Sequence, residues 1–355
     1  MKQLLYLIGG LLLFCRCVDP LDLEGVVSGE PQLVVDAFIS DQPESYQIRL
    51  SYSSTNLFGY QDQIITGAEV FVTDDEDSRY DFRGDGSGTY TSNTFEFQGE
   101  AGRTYQLHIR TPDGQEYASL EETMLPVPTI DSVFAQHESR STLTSIGSVV
   151  DTWGMQFRVT TGSGDSRPGY YQWTWSETYE FMAPLVPEVL PPPIISICYS
   201  SGQPSRYLNI ASSNDFTEDK IIGHPINYVS KRTYRLQMRY SLLVTQYSLT
   251  ESAYTFWDNI VTQEEGGNSI FAPPPSPIPG NMYNVNDNSE SVLGIFQVSA
   301  ATQKRVFLRN AEVPRRPGGP PRGFSECAVI DEDTPAYCYD CRLIPGTTTE
   351  RPSYW

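Results

Sequence analysis

Six cysteines are the residues of this 355-residue chain best equipped for chemistry, and their spacing divides them into two groups. Cys15 and Cys17 close a short apolar run, where a thiol at the end of an export signal is an acceptor for diacylglycerol and N-acyl chains. Cys198, Cys327, Cys338 and Cys341 lie far behind them. The pair in Cys338-Tyr-Asp-Cys341 has the spacing of a redox dithiol or of half a zinc site. A redox pair opens a helix in a βαβ setting, whereas this one is followed by a proline- and glycine-containing tail. Zinc would require two further ligands at close spacing; Cys327 is available, but His224 is the only histidine after Cys198. An even count in an exported chain points instead to two structural disulfides, with three pairings open.

The other reactive side chains form no constellation. His108, His137 and His224 are isolated, and His108 reads as a surface residue of a strand. His137-Glu138 starts like a zinc-protease helix, but Ser141 stands where the second histidine belongs. There is no G-x-S-x-G elbow, phosphate loop or dinucleotide turn, and Gly164-Asp165-Ser166 has no assignable histidine partner. The reading is of a non-enzymatic protein without a cofactor. Asp74, Asp75, Glu76 and Asp77 offer oxygens to calcium, although an acidic hairpin tip without the EF-hand glycine is ordinarily just solvated. Tyr171, Trp173 and Trp175 share one face of a strand and could form a sugar-stacking platform or a partner surface; packing against a second sheet explains them equally well and is the commoner use.

Composition and pattern indicate what must hold these residues. Lys2 followed by the apolar stretch from Leu4 to Phe14 has the charge and length of a cleaved signal and is too short to cross a bilayer. Residues 1–16 are thus expected to be a lipoprotein signal, with Cys17 lipidated. Val18, Asp19 and Pro20 then begin an extended leader over 17–31, whereas acylation of Cys15 would leave a cysteine and an arginine behind the anchor. Without Lys2 and Arg16, 22 basic residues face 44 acidic ones, a net charge of −22 that argues against nucleic acid and against adhesion to anionic lipid.

The fold class expected is mainly β, with an N-terminal Ig-like β-sandwich over 32–125 and a larger β-rich domain over 126–355 carrying one short helix and proline-rich loops. LVVDAFIS at 33–40, SYQIRLSYS at 45–53, GAEVFVTDD at 67–75, GTYTS at 88–92, RTYQLHIR at 103–110 and QEYASLEET at 115–123 alternate as strands, with Asp113-Gly114 as a hairpin signal. An Asp- and Gly-rich turn is expected through Gly88. Prolines in MLPVP at 124–128 mark the connection to the second half. There, residues 153–161 and 170–181 alternate, and 233–249 suits a strand pair or one bent strand. Thr250-Glu251 opens a helix of about three turns ending at Gly266-Gly267. LPPP at 190–193, PPPSPIPG at 273–280 and VPRRPGGPPRG at 313–323 are loops.

With these segments laid out, the chain resembles the Bacteroidota lipoprotein family catalogued as domain of unknown function 4249. The matching elements are Cys17-Val-Asp-Pro20, LVVDAFIS, GAEVFV, GTY, GRTYQLHI, PVPTIDSV, SLTESAYTFW, IFAPPPSPIPGN, SVLGIFQVSAATQKRVF and the ending CYDCRLIPGTTTERPSYW. Pro345-Gly346 and Gly294-Ile295-Phe296 depart slightly from the usual pattern. The resemblance implies an outer-membrane lipoprotein acting as the accessory, ligand-capture or lid, subunit of a TonB-dependent transporter; it implies no catalytic residue. The rival expectation is a stand-alone surface lipoprotein binding glycan or matrix. The stiff loops at 184–193 and 273–280 are the expected transporter contacts.

Overall fold

The computed structural model describes residues 31–53, 63–143, 147–162, 169–185, 196–203, 208–216, 220–231, 233–266, 277–313, 327 and 330–355. Cys15, Cys17 and the expected signal and leader up to residue 30 lie outside these, as do Gly164-Asp165-Ser166, residues 186–193 and 273–276 of the two expected contact loops, and 314–323.

The first part of the chain alternates apolar and polar residues in short runs, and each run is a strand: β1 (Leu33–Ser40), β2 (Gln47–Tyr52), β3 (Gln63–Ile64), β4 (Glu69–Asp74), β5 (Arg79–Gly84), β6 (Thr89–Ser92), β7 (Thr104–Arg110), β8 (Glu116–Ser119) and β9 (Glu122–Thr123). β5 replaces the expected turn: in Arg79-Tyr-Asp-Phe-Arg-Gly84, Tyr80 and Phe82 point at the core, and this alternation outweighs the flanking aspartates and glycines. The second half contributes β10 (Ile130–Leu143), β11 (Val149–Thr161), β12 (Tyr170–Met182), β13 (Ile197–Gly202), β14 (Ile210–Ser212), β15 (Ile221–Ser230), β16 (Arg239–Leu249), helix α1 (Glu251–Gly266), β17 (Met282–Asn284), β18 (Leu293–Ser299), β19 (Ala301–Arg309) and β20 (Thr347–Thr348). The 233–249 segment is a single strand, β16, preceded by a 3-10 turn at Tyr234–Leu236. Helix α1 has the expected bounds, and its 16 residues make more than four turns rather than three.

The described strands form three sheets. The first runs β17, β8, β7, β4, β5, β6, β2, β1, β18, with β3 beside β2 and β9 beside β7. It curls around one core that includes Leu33, Ile48, Leu50, Val72, Tyr90, Leu107 and Phe296. Its two ends nearly meet. There the Asn281 amide replaces a missing strand, with Oδ1 accepting from Phe296 N–H at 2.9 Å and Nδ2 donating to Phe296 O at 2.8 Å, while Leu120 N–H donates to Asn281 O at 2.7 Å. Thus β17 and β18, which sequence order places in the 126–355 segment, belong to the sheet of residues 33–123. β1 pairs with β18 in parallel, Val34 opposite Leu293.

β10, β11 and β15 form a second sheet, and β19, β16, β12, β13, β20 a third, with β14 beside β12. The two face each other over Met155, Phe157, Val159, Trp173, Phe181, Tyr240 and Leu242. The closing residues cover the other side of the third sheet. Trp355 packs edge-on to Tyr199 and Phe307, the Arg239 guanidinium lies 4.3 Å over the Phe307 ring, and that of Arg305 lies 3.6 Å over Tyr354.

A buried carboxylate joins the halves. Glu122, 4% exposed, accepts from Thr250 Oγ1, Ser252 Oγ and Asn281 Nδ2 at 2.8, 2.8 and 2.9 Å. Thr250 also caps α1, its Oγ1 accepting from Ala253 N–H, so a negative charge sits at the positive end of the helix. Leu249, Ala253, Phe256 and Ile295 then pack the helix onto β18.

His224 stacks on Trp173 with ring centroids 4.8 Å apart and donates from Nε2 to Asn209 Oδ1 at 3.0 Å. Burial, assisted by the charge of Arg158, pushes its pKa down to about 4 from 6.5. Above pH 6.5 both folded and unfolded chains hold it neutral; between 6.5 and 4 only the unfolded chain gains the proton. Stability therefore falls as pH drops through that window and levels off below it. Comparing urea unfolding at pH 7.5 and 4.5, His224→Gln is expected to remove about 2–3 kcal/mol of the wild-type loss.

Candidate ligand-binding groove

Tyr171, Trp173 and Trp175 share a face, but it is the covered one: they are 2%, 0% and 7% exposed. β12 lies inside its sheet, and the second sheet packs on that face. Trp173 Nε1 donates to Gln246 Oε1 at 2.9 Å, and Gln246 Nε2 donates onward to Pro128 O and Thr161 Oγ1. Buried polar groups so paired are structural, and the expectation of a platform or partner surface at these three residues is corrected.

The four distal cysteines form disulfides Cys198–Cys341 and Cys327–Cys338. Cys338 and Cys341 thus bond to different partners, so the C-x-x-C spacing makes no dithiol. In the acidic turn, Arg103 forms ion pairs with Asp74, Asp75 and Glu76, and Asp74 also accepts from the backbone of Glu76 and Ser78 and from Tyr80 Oη. Burial raises the Asp74 pKa, but these donors outweigh it and hold the carboxyl below its usual range. The turn is a folded ion-pair cluster, not a set of free oxygens. Among the described residues no group of three or more His, Cys, Asp or Glu is placed to hold a metal.

A concave feature lies instead on the outer wall of the curled sheet. Because Val70, Val72, Leu107, Ile109 and Met282 point inward, their neighbours along each strand point out. Strand register sets these outward residues in rows. Phe71 is opposite His108, His108 opposite Ala118, and Ala118 opposite Tyr283. In the next row Glu69 is opposite Arg110 and Arg110 opposite Glu116. Together with Arg79, Gln106 and Val285 they line a groove of about 410 Å3, within the range of small-ligand sites.

Its walls are fixed by contacts among the lining residues. The Arg79 guanidinium sits 3.7 Å over the Phe71 ring and is held by Glu69 and Asp81, each at 2.8 Å. His108 stacks on Phe71, centroids 4.8 Å apart and planes within 15°, and its Nε2 shares a 3.0 Å hydrogen bond with Thr73 Oγ1. Burial, then the nearby charge of Arg79, lowers the His108 pKa, keeping the ring neutral at neutral pH. Arg110 and Glu116 approach to 3.7 Å. The site presents flat rings beside paired donors and acceptors on rigid strands, suited to binding and orienting a ligand.

Of these residues, only His108 stood out in the sequence, as an outward strand residue, which it is. Outward Phe71 and the Gln106, His108, Arg110 series were a readable signal, but Tyr283 and Val285 join them from beyond the helix.

Residues 18–305 match the family model described as "Domain of unknown function (DUF4249)". No curated protein matches the chain.

Proposed function

The chain belongs to the DUF4249 family, and from that membership, the signal-like start and the groove we propose that it is a lipid-anchored capture subunit of a TonB-dependent outer-membrane transporter. In this reading acyl chains on Cys17 hold it at the membrane, the groove binds ligand, and a face of the protein passes it to the transporter. The groove is the observation that carries the proposal. It is preformed, and its walls come from strands locked to the rest of the molecule by Asn281 and Glu122. A preformed site loses little entropy on binding, which suits capture from dilute solution.

Detergent extraction of the tagged chain followed by mass spectrometry is expected to bring down a TonB-dependent transporter. Cys17→Ala is expected to release the protein from the membrane fraction and abolish labelling by an acyl-chain analogue. A wild type that captures no such transporter would favour the stand-alone surface-binding alternative, and labelling that survives in Cys17→Ala would move the anchor to Cys15.

A further inference from the structure

We infer that the groove on the outer wall of the curled sheet is a binding site for neutral saccharides. The inference names the ligand class of the capture site proposed above and rests on reading the groove as that site.

The lining holds two carboxylates, Glu69 and Glu116, against two guanidinium groups, Arg79 and Arg110. Within a chain of net charge −20, this is a locally balanced surface. An anionic ligand would meet Glu69, Glu116 and the overall field, and a cationic one would meet Arg79 and Arg110. A neutral ligand meets neither penalty.

Phe71, His108 and Tyr283 belong to one cross-strand row, with Ala118, the smallest and a buried member, between the last two. Beside it runs the row Glu69, Arg110, Glu116, in which charge alternates. A sugar ring has a flat face of C–H groups and a rim of hydroxyls, each both donor and acceptor. Both faces of Phe71 are taken by the Arg79 guanidinium and the His108 ring, so the flat face of the sugar matches His108 and Tyr283, which flank small Ala118, and its rim can accept from Arg110 while donating to Glu69 or Glu116. Charge-assisted hydrogen bonds of this kind are the stronger ones. A purely aromatic ligand would fit the first row but would desolvate the second without replacing its hydrogen bonds, which is costly.

The test is calorimetric titration of the full mature chain with maltotriose, cellotriose, xylotriose, mannotriose and chitotriose, alongside trigalacturonate and free tryptophan. At least one neutral trisaccharide is expected to bind at least tenfold more tightly than either trigalacturonate or tryptophan. His108→Ala and Tyr283→Ala should each weaken that binding at least tenfold and Glu116→Gln at least threefold. Thermal melting of each variant checks that it remains folded; both aromatic positions face outward, so two independent variants probe the site. Absence of binding across the neutral panel, preference for trigalacturonate or tryptophan, or binding unchanged in both aromatic variants would overturn the inference. The outcomes separate from those of the transporter capture: a recovered transporter with no saccharide binding removes the ligand class alone, and saccharide binding with no transporter removes the partner alone.

Discussion

Gly294→Ala should destabilise the protein by more than about 4 kcal/mol, the range reached only by severe steric or backbone conflicts, and should abolish a single cooperative melt. Gly294 has a φ of +93°, and a methyl group built there would lie 1.9 Å from the carbonyl oxygen of Val35. Neither contact partner can move: the oxygen belongs to β1, and Gly294 belongs to β18, its parallel neighbour. Gly280 crosses the same spot, with a Cβ that would come within 1.6 Å of the Gly294 oxygen, so Gly280→Ala is expected to act similarly. Gly114→Ala is the control. It also has a positive φ, +90°, but nothing lies within 4 Å, and a cost of about 1–2 kcal/mol is expected from backbone conformation alone. Urea unfolding followed by circular dichroism measures all three; a Gly294→Ala protein as stable as Gly114→Ala would show that the seam tolerates slippage.

Loss of the Cys198–Cys341 disulfide is the second large effect expected. The bond closes a sequence separation of 143 residues, against 11 for Cys327–Cys338. In the chain-entropy picture these correspond to about 5 and about 3 kcal/mol. All four cysteines are buried beside the core between the second and third sheets, so either paired serine substitution also desolvates two hydroxyls, and the difference between the pairs comes from loop length. Cys198→Ser with Cys341→Ser is therefore expected to lower the urea midpoint more than Cys327→Ser with Cys338→Ser, and paired alanine variants distinguish the cross-link from the hydroxyl penalty. Equal midpoints for the two alanine pairs would contradict the loop-length argument.

Alternation made many of the local elements legible. LVVDAFIS is β1 to the residue, Tyr46, Ile48 and Leu50 do share a buried face, and Thr250-Glu251 does start the helix. An even number of distal cysteines indicated two disulfides but could not give their pairing, because pairing depends on which distant segments become neighbours. The same limit explains Trp173. A period of two states which side chains share a face; it does not state which face a later sheet will cover. The groove was the least legible feature, since its rows draw on β4, β5, β7, β8 and β17, and no single segment carries more than four of its residues.

The parallel pairing of β1 with β18 also sets a timetable. Chains are made from the N-terminal end, so β1 and β8 exist as bare edges while the intervening segments are still being added, and they remain unpaired until the stretch containing Met282–Asn284 and Leu293–Ser299 arrives. Open edges recruit wrong partners, and contacts so distant in sequence form slowly. A chain of this protein emerging N-terminus first is therefore most vulnerable to aggregation when its first sheet is complete in every strand but the two that close it.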